Sequence, residues 1–168
     1  MKLLLLGIGN LLLSDEGVGI HALRYLEQNY SWPPLVELLD GGTAGMELLV
    51  PITSATHLII LDAVQTQAPP GTVVQIAHAD LPAFFRTKLS SHQVGLADVL
   101  AAAILTDSLP SYITLLGVVP ASLELGMELT PVVAVQLVPL VNRIVQELTA
   151  LGITLVTKQP SPVKLVSD

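Results

Sequence analysis

Short, uninterrupted apolar runs are the feature that most limits the folds open to this sequence. They cover residues 2–8, 35–39, 57–64 and 112–119; Gly9 and Asp40 follow the first two, and Asp62 interrupts the third near its end. Runs of this length and composition are typical of strands buried on both faces, as in a parallel sheet. Helix-length segments alternate with them. The pattern predicts an α/β fold: a three-layer sandwich with a mostly parallel, twisted sheet of about five strands and helices on both faces.

The helical signals lie between these runs. Residues 17–30 carry an apolar stripe at helical spacing, and Thr43 is expected to cap a helix that reaches residue 50. Residues 131–151 predict the last long helix, with a kink at Pro139 because proline removes one backbone hydrogen bond.

A capping box is the clearest local signal. Ser90 and Gln93 have the Ser-x-x-Gln spacing in which each side chain bonds the other residue's backbone N–H. This predicts a helix from that point to about residue 105, with His92 in its first turn.

One further strand is expected at an edge or antiparallel to its predecessor. Residues 72–77 follow the strand at 57–64 after a connection that is too short for a helical crossover. Residues 158–168 contain two prolines and no periodicity, which predicts a disordered tail. The remainder, residues 1–157, is expected to be a single domain.

Composition excludes several classes of function. Lys and Arg number 7 against 14 for Asp and Glu, giving a net charge of -7, so no nucleic-acid partner is expected. No apolar run approaches the roughly 18 residues of a membrane-spanning helix. Only 12% of the residues are charged, which fits equally well with apolar surface for a protein partner and with strands buried on both faces, and is compatible with a monomer or a weak dimer.

The chain has no cysteine. Disulfides, thiolate zinc sites and a cysteine nucleophile are therefore excluded, and any metal site must use carboxylates and imidazoles. This fits a reducing, cytoplasmic location. A dinucleotide fingerprint is broken because Leu12 stands where the third glycine is required. The sequence also has no phosphate-binding P-loop, HExxH zinc motif or GxSxG elbow, so no nucleotide is expected.

Acidic residues and one histidine collect after the predicted strands. Asp15, Glu16, Asp40, Asp62 and His92 all belong to segments expected at the carboxyl edge of the sheet, where α/β proteins build their sites. Asp62 ends a buried strand, so its carboxylate needs a hydrogen-bond donor, a cation or a metal. Two carboxylates and an imidazole suit a divalent transition ion and leave coordination positions open.

Structural roles compete with this interpretation. Asp15 and Glu16 lie where a helix begins and could serve only as capping or dipole partners, and Asp40 before two glycines is typical of a turn. His92, near a helix start, is expected to stay neutral and able to bind metal. Structural roles are expected for His21, His57 and His78.

Five motifs in order carry a family resemblance. The sequence reads GIGNLLLSDEGVGIHALRYLE, then LDGGTAG, ILDAV, SSHQVGLADVL and GVVPASLELGMELTPVV. Together they resemble the hydrogenase maturation endopeptidases, over nearly the whole chain to about residue 148. The resemblance implies an aspartyl-type or metal-dependent peptidase that removes a C-terminal extension from the large subunit precursor of a nickel-iron hydrogenase after nickel insertion.

The resemblance also implies residue roles. It assigns Glu16, Asp62 and His92 to the metal, which is expected to be nickel carried by the precursor, although other divalent transition ions can substitute. It associates Asp40 with substrate recognition or cleavage, and Gly41, Gly42 and Thr43 with the shape of that loop.

Two questions stay open in the sequence. Hydrolysis can be assisted by the metal, or Asp40 can act as general base while the metal serves only for recognition. A non-catalytic, nickel-dependent chaperone or binding module for the same precursor would share these ligands.

Overall fold

The computed structural model describes residues 1–87 and 90–158. Residues 159–168, which hold most of the predicted tail, lie outside the described part. The helices and strands follow in chain order: β1 Leu3–Ile8, α1 Val18–Asn29, β2 Tyr30–Ser31, β3 Val36–Gly42, α2 Leu49–Thr53, β4 His57–Ala63, β5 Val73–Ala77, α3 Leu81–Phe84, α4 Ser91–Leu105, β6 Tyr112–Val118, α5 Pro131–Ala134, α6 Leu137–Ala150 and β7 Val156–Thr157. Short 3₁₀ turns precede α1, α2 and α3.

The main sheet has five strands in the order β3-β1-β4-β6-β5. The three junctions among β3, β1, β4 and β6 are parallel, and β5 is antiparallel to β6. The predicted fold class is therefore confirmed. The strand at 72–77 lies at an edge as expected, although its partner is β6 and not its predecessor β4.

Strand alternation divides the core into two layers. Leu3 and Leu5 of β1 face one cluster, which includes buried side chains of α1 and α6. Leu4 and Leu6 face the other, which includes α2 and α4. Every residue of β1 is buried because successive side chains enter opposite apolar layers, which explains its uninterrupted apolar run.

Three local predictions were wrong. Tyr30 does not end α1 but starts β2, which pairs with β7 through Thr157. Thr43 caps no helix: a 3₁₀ turn begins at Met46, and the N–H of Gly45 is bonded by the Glu47 carboxylate. The glycine-rich segment before it continues β3 to Gly42 instead of forming a separate turn, because β1 supplies hydrogen-bond partners.

The last helical region is two helices, not one kinked helix. Pro139 has no N–H to donate to the carbonyl of residue 135, and its ring crowds that carbonyl. Accordingly α5 ends at Ala134, and Pro139 lies in the first turn of α6. By length and hydropathy alone, α5 and α6 together could cross a membrane. However, Leu140, Val141, Ile144 and Leu148 pack into the core, which accounts for the apolar character of α6.

Candidate metal-binding active site

The candidate site lies at the topological switch point of the sheet, where successive strands are added on opposite sides of β1. After β1 the chain adds β3 on one side of that strand, then crosses over to add β4 on the other. The crossovers separate at the carboxyl ends of β1 and β4, and a crevice opens there. Glu16 follows β1, and Asp62 is the next-to-last residue of β4. Their proximity is therefore a consequence of strand order.

Asp62 is fully buried and has a donor for each carboxylate oxygen. Oδ1 accepts from the N–H of Ala63 at 2.8 Å, and Oδ2 accepts from Nε2 of Gln93 at 2.7 Å. Nε2 of His92 lies 3.0 Å from Oδ1. Burial raises the pKa of Asp62, and the hydrogen bonds from His92, Gln93 and Ala63 oppose that rise only in part.

The imidazole of His92 lies between two carboxylates. Its Nδ1 is 2.8 Å from Oε1 of Glu16, while its Nε2 faces Asp62. Burial alone would lower the pKa of His92, but Asp62 and Glu16 outweigh that effect and raise it. The raised pKa favours the protonated ring, in which each nitrogen can donate to one carboxylate, and this differs from the neutral imidazole expected from the sequence.

The structure thus brings Glu16, Asp62 and His92 together, as the strand-end argument expected. The two carboxylates contact opposite ring nitrogens, so the three side chains do not surround one common point. Within residues 1–87 and 90–158, no group of three His, Asp or Glu side chains has the geometry of a formed metal site. The donor set itself, one imidazole and two buried carboxylates, suits a divalent transition ion.

A pocket of about 440 Å³ opens onto this cluster. Its polar lining includes Glu16, His92 and Gln93, and its apolar lining includes Pro120 and Leu123. The polar side chains are therefore accessible from outside although they are nearly buried. A chain segment of a partner could reach them there.

Gln93 has a role that the sequence did not reveal. Besides completing the predicted capping box with Ser90, its amide donates to both Asp62 and the carbonyl of Ala63. The capping pattern could locate Gln93 at the helix start. It carried no signal for the bond to Asp62, which depends on how α4 packs against β4.

Asp15 is a buried tether and not a helix cap. Its carboxylate accepts four hydrogen bonds: from the N–H groups of Ala121, Ser122 and Thr130 and from the hydroxyl of Thr130. Burial would raise the pKa of Asp15, yet these bonds together lower it. The loop between β6 and α5 is thereby fixed beside Glu16.

Asp40 is separate from this cluster. It lies on edge strand β3 with nearly half of its side chain exposed, and Oδ1 accepts from the N–H of Gly42 at 3.1 Å. Its other oxygen is 3.6 Å from Arg24. Gly42 has a φ of 48°, a left-handed conformation that suits glycine, although Asp40 and Gly42 both belong to β3 and form no separate turn. Gly41 is packed against Leu6, and Thr43 follows without a helix-capping contact.

Glycines allow the backbones around the site to approach closely. A Cβ on Gly9 would lie 2.0 Å from the carbonyl oxygen of Glu16, and one on Gly117 would lie 2.0 Å from that of Asp62. Gly9 also has a φ of 130°. Both positions therefore require glycine if Glu16 and Asp62 are to keep their places.

The other histidines lie elsewhere. His21 is on α1 with a buried Nε2, and His57 at the start of β4 contacts Thr56 and stacks on Tyr112. His78 is exposed after β5. Within the described ranges, none of them contacts the Glu16, Asp62 and His92 cluster.

Comparisons with known proteins decide the family. A family model described as hydrogenase maturation protease matches residues 20–147. The Hydrogenase 2 maturation protease of Escherichia coli (strain K12) is 43% identical over 160 residues, covering 95% of this chain and 98% of that relative. The chain belongs to the hydrogenase maturation protease family. It is therefore a peptidase, and the resemblance in its motifs is confirmed.

Other relatives and solved structures agree with this assignment. The hydrogenase expression/formation protein HupD of Rhodobacter capsulatus is 43% identical over 154 residues, covering 90% of this chain and 73% of its own. The structure of the hydrogenase maturating endopeptidase HybD from E. coli is similar with a TM-score of 0.91 at 43% identity, covering 94% of this chain and 98% of that one. A [NiFe] hydrogenase maturation protease HybD from Thermococcus kodakarensis gives 0.73 at 28% identity, with 88% and 99% covered.

Proposed function

We propose that this peptidase removes a C-terminal extension from the large subunit precursor of a nickel-iron hydrogenase after nickel has been inserted, and that it acts in the cytoplasm. The relatives are named as hydrogenase maturation proteases, which supports the class of substrate. The observation that carries the proposal is the pair of buried carboxylates that face His92 at an open pocket.

Nickel is proposed to arrive as part of the substrate. The chain has no cysteine, so it can offer nitrogen and oxygen ligands while the precursor supplies softer ones. Glu16, Asp62 and His92 would hold the ion from the enzyme side. Two carboxylates that face one imidazole favour a cation beside them. A precursor without nickel would lose these contacts and dock less tightly, which gives specificity by differential affinity.

Two routes to hydrolysis remain distinguishable by experiment. An ion held beside the pocket would supply polarisation of the scissile carbonyl or a more acidic water. In the other route Asp40 takes the proton from the attacking water. Asp40 lies on β3 and is not part of the pocket wall described above, so substrate would have to extend from the pocket towards that edge.

The central experiment mixes the protein with unprocessed precursor, with and without nickel, and follows the precursor's mass. We expect a C-terminal mass loss only with nickel-loaded precursor. His92→Gln should abolish the loss, whereas His78→Gln, at an exposed histidine, should leave it intact. Equal cleavage of the two precursors would contradict nickel recognition.

The same assay separates the remaining alternatives. Tight binding of the nickel-loaded precursor without any mass loss would favour a non-catalytic chaperone or binding module. If Asp40→Asn binds this precursor but cannot cut it, Asp40 is the base, and Asp98→Asn on the exposed face of α4 is the matched control. Unchanged cleavage by Asp40→Asn would remove Asp40 from the mechanism.

A further inference from the structure

An exposed apolar surface borders the pocket. Leu12, Leu123, Leu125 and Met127, named here the apolar rim, are 56%, 46%, 86% and 71% exposed. Leu123 is also part of the pocket wall. Large apolar side chains grouped on one surface mark an interaction site more often than single ones do.

The backbone under the rim is fixed. The N–H of Gly126 donates to the carbonyl of Leu12 at 2.9 Å, and the N–H of Ser14 donates to the carbonyl of Gly126 at 2.8 Å. The hydroxyl of Ser14 bonds the carbonyl of Glu124, and Asp15 holds both ends of the loop. The rim side chains are thus held out from an anchored loop, so their exposure is not a result of a loose chain.

The charge beside the rim selects the kind of partner. Glu124 and Glu128 are exposed in the same loop, and residues 9–17 and 120–130 contain no Lys or Arg. An apolar surface with acidic neighbours fits a partner segment that is apolar and basic. A second copy of this chain would place acidic residues opposite one another across a two-fold contact, which is unfavourable.

We propose that the apolar rim is the docking surface for the precursor segment next to the scissile bond, and that this segment combines apolar side chains with Lys or Arg. The inference rests on the proposed function, because it takes the pocket beside His92 as the place of cleavage. Continuity of the rim with the pocket through Leu123 puts the two contacts within one extended peptide. Anchoring the loop in advance lowers the entropic cost of binding that peptide.

The first test uses Leu125→Ser/Met127→Ser with nickel-loaded precursor. Since both side chains are exposed, the fold should be kept, which an unchanged thermal midpoint would verify. We expect KM to rise about tenfold or more with kcat within about twofold, because apolar contact area with the substrate is lost. Leu105→Ser is the matched control. Leu105 is 88% exposed at the end of α4, which leads into the amino end of β6. If the double variant misfolds, Leu125→Ser alone replaces it.

The second test addresses charge. Glu124→Lys/Glu128→Lys should raise KM at low ionic strength, and the difference from wild type should shrink as salt screens it. Glu27→Lys, at an exposed acid in the last turn of α1, is the control and should leave KM unchanged.

The outcomes separate the two proposals. If the wild-type protein fails to cut nickel-loaded precursor, the proposed function is wrong. If it cuts, and the rim variants cut with an unaltered KM, only the docking inference is overturned. Sedimentation of the wild type as a dimer that Leu125→Ser converts to a monomer would assign the rim to self-association and would also overturn it.

Discussion

At the scale of single residues, the site is governed by the cost of burying Asp62. A buried carboxylate is tolerated only when its oxygens are bonded, and here three groups do this: the N–H of Ala63, the amide of Gln93 and the ring of His92. Sequence reasoning could state that Asp62 needs partners. It could name His92 as one of them, but the role of Gln93 required the packing of α4 on β4.

Replacing Gln93 should therefore destabilise the protein. Gln93→Ala leaves Oδ2 of Asp62 without its amide donor, and a bond to a charged group contributes about 1.5–3 kcal/mol. We expect the free energy of unfolding in urea to fall by at least that amount, because Gln93→Ala also removes the bonds to the Ala63 carbonyl and the Ser90 N–H. Gln28→Ala, at an exposed position on α1, should change it by less than about 0.5 kcal/mol. Equal losses in the two variants would show that the bond to Asp62 contributes little.

At the scale of elements, local signals were reliable where the partners lie within one turn. The capping box at the start of α4 is formed: the N–H of Gln93 donates to Oγ of Ser90, and the N–H of Ser90 donates to the Gln93 side chain. Predictions failed where a strand distant in sequence supplied the pairing partner. Tyr30, for example, pairs with Thr157 of β7 and so lies outside α1. Pro139 was correctly identified as disruptive, but the break falls earlier, after Ala134, because proline acts on the preceding turn.

The capping box gives a prediction at this scale. Ser90→Ala should lower stability by about 1 kcal/mol because the N–H of Gln93 loses its side-chain acceptor. Ser91→Ala is the matched control, since Ser91 is exposed in the first turn and should change stability by less than about 0.5 kcal/mol. Thermal unfolding monitored by circular dichroism measures both. A larger loss for Ser91→Ala would contradict the assigned cap.

At the scale of the whole molecule, the site depends on how closely helices and strands approach. A Cβ on Gly19 of α1 would lie 2.1 Å from the carbonyl oxygen of Leu61 on β4. Because that atom belongs to the backbone of a central strand, it cannot move without shifting the strand that carries Asp62. The glycine therefore sets the distance between one helical layer and the sheet.

Gly19→Ala should consequently destabilise the protein by about 3 kcal/mol, at the upper end of ordinary overpacking. The matched control is Gly95→Ala in α4, where the nearest atom to the new Cβ is 3.4 Å away. That variant should be neutral or more stable by about 0.5–1 kcal/mol, since alanine is the better helix former. Chemical denaturation of both variants measures the difference. If Gly19→Ala matched Gly95→Ala, the close approach of α1 to β4 would not be needed.

The sequence by itself determined the α/β class, most strand positions and the proximity of Glu16, Asp62 and His92, although not the role of Gln93. It could do so because apolar periodicity, capping spacing and a carboxylate at the end of a buried strand are local patterns. Tertiary structure alone decided that β5 pairs with β6, that Asp15 holds a loop more than one hundred residues away, and that His92 lies between two carboxylates. Each of these depends on residues that strand order brings together, and contacts between residues so far apart cannot be predicted from local sequence spacing.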